Sequence, residues 1–164
     1  MSIQVGDRLP KTTFMKATPE GPQPVDSEEY FSGRRVALFS VPGAFTPTCS
    51  ARHLPGFVEK AEQLREKGVD EIACTAVNDA FVMGAWSESA GAGEKVTMLS
   101  DGNGQFAQGV GLTMDGSKFG MGTRSQRYSL VAKDGVVQQL NVEQGGEFRV
   151  SSADYLLGQL QPAT

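Results

Sequence analysis

Cysteine, histidine and tryptophan are scarce in this chain. Its 164 residues include two cysteines, one histidine and one tryptophan. Two cysteines and one histidine cannot fill the four positions of a typical structural zinc site. In a reducing compartment a single cysteine pair is also not expected to act as a structural staple. The sequence therefore raises the question of what Cys49 and Cys74 each do.

Long apolar runs and blocks of positive charge are absent as well. Apolar runs such as residues 36–39 are far shorter than the roughly 18 residues that span a bilayer. Fifteen Lys and Arg against nineteen Asp and Glu give a net charge of −4, which does not favour binding to nucleic acid or anionic membranes. Residues 1–7 lack the basic and apolar regions of a secretory leader, and residues 161–164 are not a peroxisomal S-K-L address, so we expect neither signal. We therefore expect a cytoplasmic protein.

What is present indicates one globular domain covering residues 1–164. Hydrophobic residues make up 39% and charged residues 21%, enough for a sizeable core. The hydrophobic pattern predicts strands and helices in alternation, which is typical of a parallel sheet covered on both faces. The predicted elements are a strand at 36–41, a helix from 50 to 67 bent at Pro55, a strand at 72–77, a helix at 80–90, a strand at 96–99 and a helix at 105–110.

Antiparallel elements are predicted at both ends. A turn cluster at residues 20–24 indicates an N-terminal hairpin, and Asp134-Gly135 joins strands at 127–131 and 136–140. A final helix then runs to Leu160, with Ser151 or Ser152 as its N-cap. The fold class is α/β, with a central mixed sheet, helices on both of its faces and an N-terminal hairpin extension.

Cys49 lies in the segment most indicative of chemistry, residues 42–50. It follows a buried strand and begins a predicted helix, where backbone N–H groups and the helix dipole lower a thiol pKa below its usual value of about 8.5. Thr46 can place a hydroxyl beside the sulfur, and Pro42 and Pro47 restrict the loop. This pattern favours a reactive thiolate over a structural cysteine. A strand followed by such a cysteine, a helix and a second strand is also the outline of a thioredoxin-like fold.

The pattern Pro-x-x-x-Thr-x-x-Cys, formed by Pro42, Thr46 and Cys49, resembles the active-site signature of the peroxiredoxins. With the following residues 53–57, His-Leu-Pro-Gly-Phe, it is similar to the peroxiredoxin-5-like, or type II, branch. The similarity continues in ordered blocks across nearly the whole chain, at residues 77–82 with Trp86, at 124–128, at 134–137 and at 140–143.

This resemblance implies thiol-dependent reduction of hydrogen peroxide and organic hydroperoxides on a thioredoxin-like fold. Cys49 would be the peroxidatic nucleophile and become a sulfenic acid. Thr46 would bond the peroxide and orient the sulfur, Arg127 would hold the thiolate and the peroxide oxygens, and Pro42 would shield the sulfur from water. No metal or organic cofactor is needed, and the family suggests a homodimer formed through loops near the active site.

Several nearby residues have open interpretations. Arg124 competes with Arg127, although alternation along residues 127–130 and the family match favour Arg127. His53, four residues after Cys49, either supports the thiolate or is simply packed or solvated. The aromatic residues Phe45, Phe81, Trp86 and Phe119 form either an apolar collar, suited to alkyl hydroperoxides or to a dimer contact, or plain core.

Cys74 lies inside the predicted strand 72–77, where a cysteine behaves as a small hydrophobic residue. The alternative is that it is the resolving thiol, as at a matching position in some plant-like type II relatives. A disulfide needs Cα atoms within about 7 Å, and a sulfur buried in a strand reaches a partner only through local unfolding. Other relatives carry a resolving cysteine near the C-terminus, but residues 148–153 contain none. An external reductant, glutathione with glutaredoxin or else thioredoxin, is therefore expected.

Three other functions compete with peroxide reduction. A Cys-x-x-Cys thiol-disulfide oxidoreductase is excluded, because Thr46 occupies the position of the second sulfur. A cysteine hydrolase would need His53 as its general base, one helical turn from the nucleophile, which is poor triad geometry. A non-enzymatic redox sensor or chaperone gated by oxidation of Cys49 stays open as the alternative.

Overall fold

The computed structural model describes residues 2–47, 52–144 and 147–160. Its strands are β1 Thr13–Thr18, β2 Gly21–Asp26, β3 Arg35–Ser40, β4 Glu71–Ala76, β5 Thr97–Ser100, β6 Thr113–Asp115, β7 Thr123–Ser125, β8 Tyr128–Lys133 and β9 Val136–Val142. Its α-helices are α1 Ser27–Phe31, α2 Leu54–Glu59, α3 Ala61–Glu66, α4 Ala80–Ala90, α5 Gln105–Val110 and α6 Ala153–Gln159, and a short 3₁₀ turn covers Ser117–Phe119.

Seven strands form one mixed sheet in the order β2-β1-β5-β4-β3-β8-β9. The central strands β5, β4 and β3 are parallel, with Phe39 opposite Cys74. Strands β8 and β9 continue the sheet in antiparallel fashion, and the β1–β2 hairpin joins the far edge through Met15 opposite Ser100. The predicted mixed sheet and N-terminal hairpin are thus confirmed.

Strand β3 is buried on both faces, which explains its nearly continuous apolar sequence. Ala37 and Phe39 point to one core cluster, which contains residues of α2, α3, α4 and α6. Val36 and Leu38 point to a second cluster, which contains residues of α1 and α5. The prediction of helices on both faces is confirmed, and the end of β3 leads directly into the segment that contains Cys49.

The helix predicted from residue 50 to residue 67 is irregular at two places in the described residues. Arg52 and His53 form a π-helical turn, and Pro55 follows in the first turn of α2, a position that tolerates proline. A second irregularity falls at Lys60, which separates α2 from α3 with φ −95° and ψ 8°. Gly68, at φ +95°, follows the helix end as predicted.

Other boundaries differ from the predictions by small shifts or omissions. Strands β3, β4 and β5 are each displaced by one residue from their predicted positions, and α1, β6 and β7 were not predicted. The Asp134-Gly135 turn is confirmed, with φ of +50° and +78°, and Ser152 is the N-cap of α6, where its Oγ accepts from the Tyr155 N–H. Within the described ranges no helix is both long and apolar enough to cross a membrane.

Candidate active site

The candidate site surrounds the segment that follows β3. Cys49, with Thr48, Ser50 and Ala51, lies outside the described residues. The site is therefore defined by the loop at residues 42–47, by His53 after it, and by the elements that pack against both. Among the described residues no three His, Cys, Asp or Glu side chains are grouped so that they could hold a metal ion.

The loop at residues 42–47 is fixed by hydrogen bonds of its own and by a neighbouring turn. The Thr46 hydroxyl donates to the Gly43 carbonyl at 2.7 Å, and the Ala44 N–H donates to Asn78 Oδ1 at 2.9 Å. Phe45 has a positive φ of 64°, a conformation that costs a bulky residue about 1–3 kcal/mol. The surrounding contacts hold this conformation directly before the segment that contains Cys49.

Arg124 contacts the backbone of this loop. Its Nη1 donates to the Pro42 carbonyl at 3.4 Å, and its Nε donates to the Met121 carbonyl at 2.9 Å. A Cβ added to Gly43 would lie 3.2 Å from each of Arg124 Nη1, Met121 Cε and Thr46 Cγ2. Glycine therefore allows the β7 region to approach the loop closely.

Arg127 makes a different contact, to His53, the residue directly before α2. Its Nη1 lies 2.9 Å from His53 Nδ1, and its guanidinium lies 5.9 Å from the centre of the Phe148 ring. The sequence favoured Arg127 over Arg124 as the arginine of the site. In the described residues Arg124 contacts the loop at 42–47, and Arg127 contacts His53.

His53 is fully buried and uses both of its ring nitrogens. Its Nε2 lies 2.9 Å from the Ser151 carbonyl oxygen, which can only accept a hydrogen bond. Nε2 therefore carries the proton, and Nδ1 accepts from Arg127. Burial, together with the charge of Arg127, lowers the pKa of His53 to about 3, although the bond to Ser151 acts in the opposite direction. His53 is neutral near pH 7, so it neither supports a thiolate by positive charge nor has Nδ1 available as a general base.

Glu143 anchors the chain segment that carries Ser151. Its Oε2 accepts from the Arg149 N–H at 2.7 Å, from the Ser151 N–H at 2.8 Å and from the Ser151 hydroxyl at 2.6 Å. Burial alone would raise the pKa of Glu143, but these hydrogen bonds lower it overall. The Glu143 N–H donates to the Arg127 carbonyl at 3.0 Å. From the sequence, Glu143 was given no role in the site and Ser151 was considered only as a helix N-cap; the family block at residues 140–143 was the available signal for Glu143.

Cys74 lies within β4, with 0% of its surface exposed. It belongs to the same core cluster as Phe57 of α2 and Trp86 of α4. This environment is the apolar strand that the sequence predicted. Any exchange between Cys74 and another thiol requires the packing of β4 to open.

The predicted aromatic collar divides into core and surface. Trp86 is only 1% exposed and is core, whereas Phe45, Phe81 and Phe119 are 52%, 71% and 78% exposed. Phe45 belongs to the site loop, and Phe81 lies in the first turn of α4, shortly after the Asn78 that holds Ala44. Phe119 precedes the segment whose Met121 approaches Gly43. Three exposed phenylalanines thus come from the segments that border the site loop.

Comparisons with known proteins agree with this fold. The Redoxin family model matches residues 4–157. Chloroplastic peroxiredoxin-2E-2 of Oryza sativa subsp. japonica is 53% identical over 161 residues, which cover 95% of this chain and 72% of that protein. The hybrid peroxiredoxin hyPrx5 of Haemophilus influenzae is 42% identical and covers 99% of this chain and 68% of that protein. The solved structure of reduced Prx3 from Vibrio vulnificus in complex with H₂O₂ is 49% identical with a TM-score of 0.93, covering 97% of this chain and 99% of that chain.

The fold places this chain in the thioredoxin-like class, as the sequence predicted. Within that class the chain belongs to the peroxiredoxins, and its relatives include type II members. It is a thiol-dependent peroxidase.

Proposed function

We propose that Cys49 is the peroxidatic nucleophile of this peroxidase. The Cys49 thiolate attacks one peroxide oxygen, the O–O bond breaks, and the other oxygen takes up a proton and leaves as water or alcohol. Cys49 is thereby oxidised to a sulfenic acid and the peroxide is reduced. The observation that carries the proposal is the loop at 42–47, whose Gly43–Thr46 and Ala44–Asn78 hydrogen bonds preorganise the backbone directly before Cys49. The H₂O₂ complex of the Vibrio vulnificus relative supports hydrogen peroxide as one substrate.

The neighbouring residues have distinct proposed roles in this step. The Thr46 hydroxyl donates its hydrogen bond to the Gly43 carbonyl, so its oxygen lone pairs remain as acceptors for a peroxide O–H. Arg127 stabilises the negative charge that moves from sulfur onto the departing oxygen. Pro42 shields the sulfur from water, and its carbonyl is held by Arg124.

Substitution of Cys49 by serine tests the proposal. We expect Cys49→Ser to lose peroxidase turnover and keep its fold, because a serine hydroxyl is not ionised near neutral pH. Cys74→Ser is the matched control and keeps rapid reaction with one equivalent of peroxide. Peroxide consumption, with circular dichroism as the folding check, distinguishes the variants. Activity of more than a few per cent in Cys49→Ser would remove Cys49 from this role, and a single reaction without turnover in the wild type would favour a sensor.

We further propose that an external thiol reduces the Cys49 sulfenic acid. Cys74 is sealed inside β4, and residues 148–153 offer no second sulfur. Glutathione with glutaredoxin, or thioredoxin, would condense with the sulfenic acid to give a mixed disulfide and water, and a second thiol would then release Cys49. The mixed disulfide is the intermediate that mass spectrometry would detect.

The protein is also proposed to be a cytoplasmic homodimer. Phe45, Phe81 and Phe119 are exposed and lie in the site loop or in segments near it in the chain or by contact, and their exposure supports a contact between two copies of the chain. The cytoplasmic location is supported by the low cysteine content of the sequence.

A further inference from the structure

A chain of hydrogen bonds connects Arg127 to a carboxylate that does not touch its side chain. Arg127 Nη1 donates a hydrogen bond to His53 Nδ1, and His53 Nε2 donates to the Ser151 carbonyl oxygen. The N–H and the hydroxyl of Ser151 both donate to the Glu143 carboxylate. We infer that His53 is a positioning residue that orients the Arg127 guanidinium for peroxide reduction, and that Glu143 holds His53 in place through Ser151. The inference rests on the proposed role of Arg127.

The surroundings of His53 suit it to accept a hydrogen bond without carrying charge. Its ring lies 4.8 Å from Phe39, 5.7 Å from Phe57 and 5.0 Å from Phe148, measured between ring centres. A carboxylate in its place would orient Arg127 but would also neutralise the guanidinium that the transition state needs. A neutral imidazole fixes the same group and does not itself offset its positive charge.

The bond to Ser151 selects the form of the imidazole. Because a carbonyl only accepts, it holds the proton on Nε2 and leaves Nδ1 as the acceptor that faces Arg127. The other tautomer would turn an N–H toward the guanidinium and break the contact. The Ser151 carbonyl thus matters for Arg127 although it lies on the far side of the ring.

Glu143 makes the Ser151 carbonyl a fixed partner. Three donors from Arg149 and Ser151 converge on one carboxylate oxygen, so the backbone at 149–151 is tied to the end of β9. The Glu143 N–H also bonds the Arg127 carbonyl, so one residue holds both ends of the relay. Sequence-local interactions could not create this link, since His53 and Ser151 are 98 residues apart.

Two substitutions at His53 separate its two hydrogen bonds. In His53→Asn the side-chain oxygen lies near the former Nδ1 and still accepts from Arg127, whereas in His53→Gln the amide nitrogen lies near the former Nε2 and retains only the bond to Ser151. We expect His53→Gln to lower the second-order rate constant for H₂O₂ by about tenfold, and His53→Asn by less than about threefold. The value of kcat/KM for the reductant stays unchanged in both, because the reductant acts after the peroxide step.

Stability and thiolate measurements accompany the rates. If His53 were merely structural, the loss of rate in each variant would follow the fall in its melting temperature. The variant that keeps the bond to Arg127 would then have no advantage in rate. Equal rate constants for the two variants, or a slower His53→Asn, would overturn the inference. The pKa of Cys49, followed by thiolate absorbance, is expected to rise more in His53→Gln than in His53→Asn.

A second pair tests the anchor if the His53 variants do not fold. Glu143→Gln removes the charge that collects the three donors. Glu147→Gln makes the same change in a neighbouring residue whose carboxylate forms an ion pair with the exposed Arg149 side chain. We expect Glu143→Gln to slow the peroxide step and Glu147→Gln to leave it unchanged. Equal rates in this pair would contradict the relay. Failure of the proposed function itself is distinguishable, because it would appear as residual activity in Cys49→Ser.

Discussion

Arg124 and Arg127 are three residues apart and contact the site in different ways. Arg124 donates to two backbone carbonyls and therefore acts on the shape of the loop before Cys49. Arg127 donates to a neutral side chain, which orients its guanidinium without cancelling its charge. The two arginines are therefore expected to affect loop stability and chemistry to different degrees.

Alanine substitutions at the two positions test this difference. We expect Arg127→Ala to raise the Cys49 pKa and to slow peroxide reduction by roughly 100-fold or more, the usual cost of losing one transition-state donor. Arg124→Ala should give a smaller loss of rate together with a lower melting temperature. Stopped-flow kinetics and thiolate titration measure both effects. An equal or larger loss at Arg124 would mean that Arg124 is the residue that faces the sulfur.

At the scale of secondary structure, local signals were sufficient where the chain marks its own boundaries. Helix α4 runs over the predicted residues because the Asp79 side chain caps its first turn and Gly91, at φ +66°, ends it. Strand β3 was recognised because both of its faces are buried. The strands β6 and β7 were missed because each has only three residues, within a glycine-rich segment.

The candidate site shows the same division between local and distant information. Pro42, Thr46 and Cys49 were proposed from a short motif, and the structure shows that the Thr46 hydroxyl donates to the Gly43 carbonyl in the loop between the first two. That His53 pairs with Arg127 and with Ser151 could not be predicted from the sequence. One lies 74 and the other 98 residues away, and only the folded sheet and the end of β9 bring them together.

The position of Cys74 in β4 leads to a prediction about recycling. We expect Cys74→Ser to keep most of its turnover when glutathione and glutaredoxin supply electrons. Cys74 reaches another sulfur only if β4 opens, and such sub-global opening costs on the order of several kcal/mol. Steady-state turnover and intact-mass analysis after one equivalent of peroxide test this. A variant that reacts once and stalls, beside a wild type with a Cys49–Cys74 disulfide, would show that Cys74 is the resolving thiol.

At the scale of the whole molecule, the exposed large apolar side chains of the described residues fall into two groups. Val5 and Tyr155 lie away from the site loop in the chain, whereas Phe45, Phe81 and Phe119 come from the loop itself or from segments near it in the chain or by contact. A fully exposed aromatic side chain buries about 150–250 Å² when it is covered. At exposed fractions of 52%, 71% and 78%, the three rings together supply roughly 300–500 Å² of the roughly 800 Å² that each partner contributes to a stable interface.

A charge placed in this surface tests the proposed dimer. We expect the wild-type protein to sediment as a dimer at micromolar concentration, and Phe81→Glu and Phe119→Glu each to shift it toward the monomer, because an unpaired carboxylate is costly to bury in an interface. Val5→Glu is the matched control, since Val5 is 60% exposed and belongs to the N-terminal segment rather than to the site loop or its neighbours. The control should remain dimeric. The proposed dimer contact would be contradicted by a monomeric wild type, or by phenylalanine variants that sediment like the control. The exposed rings would then serve peroxide binding rather than association. In that case the same variants would lose more rate with alkyl hydroperoxides than with H₂O₂.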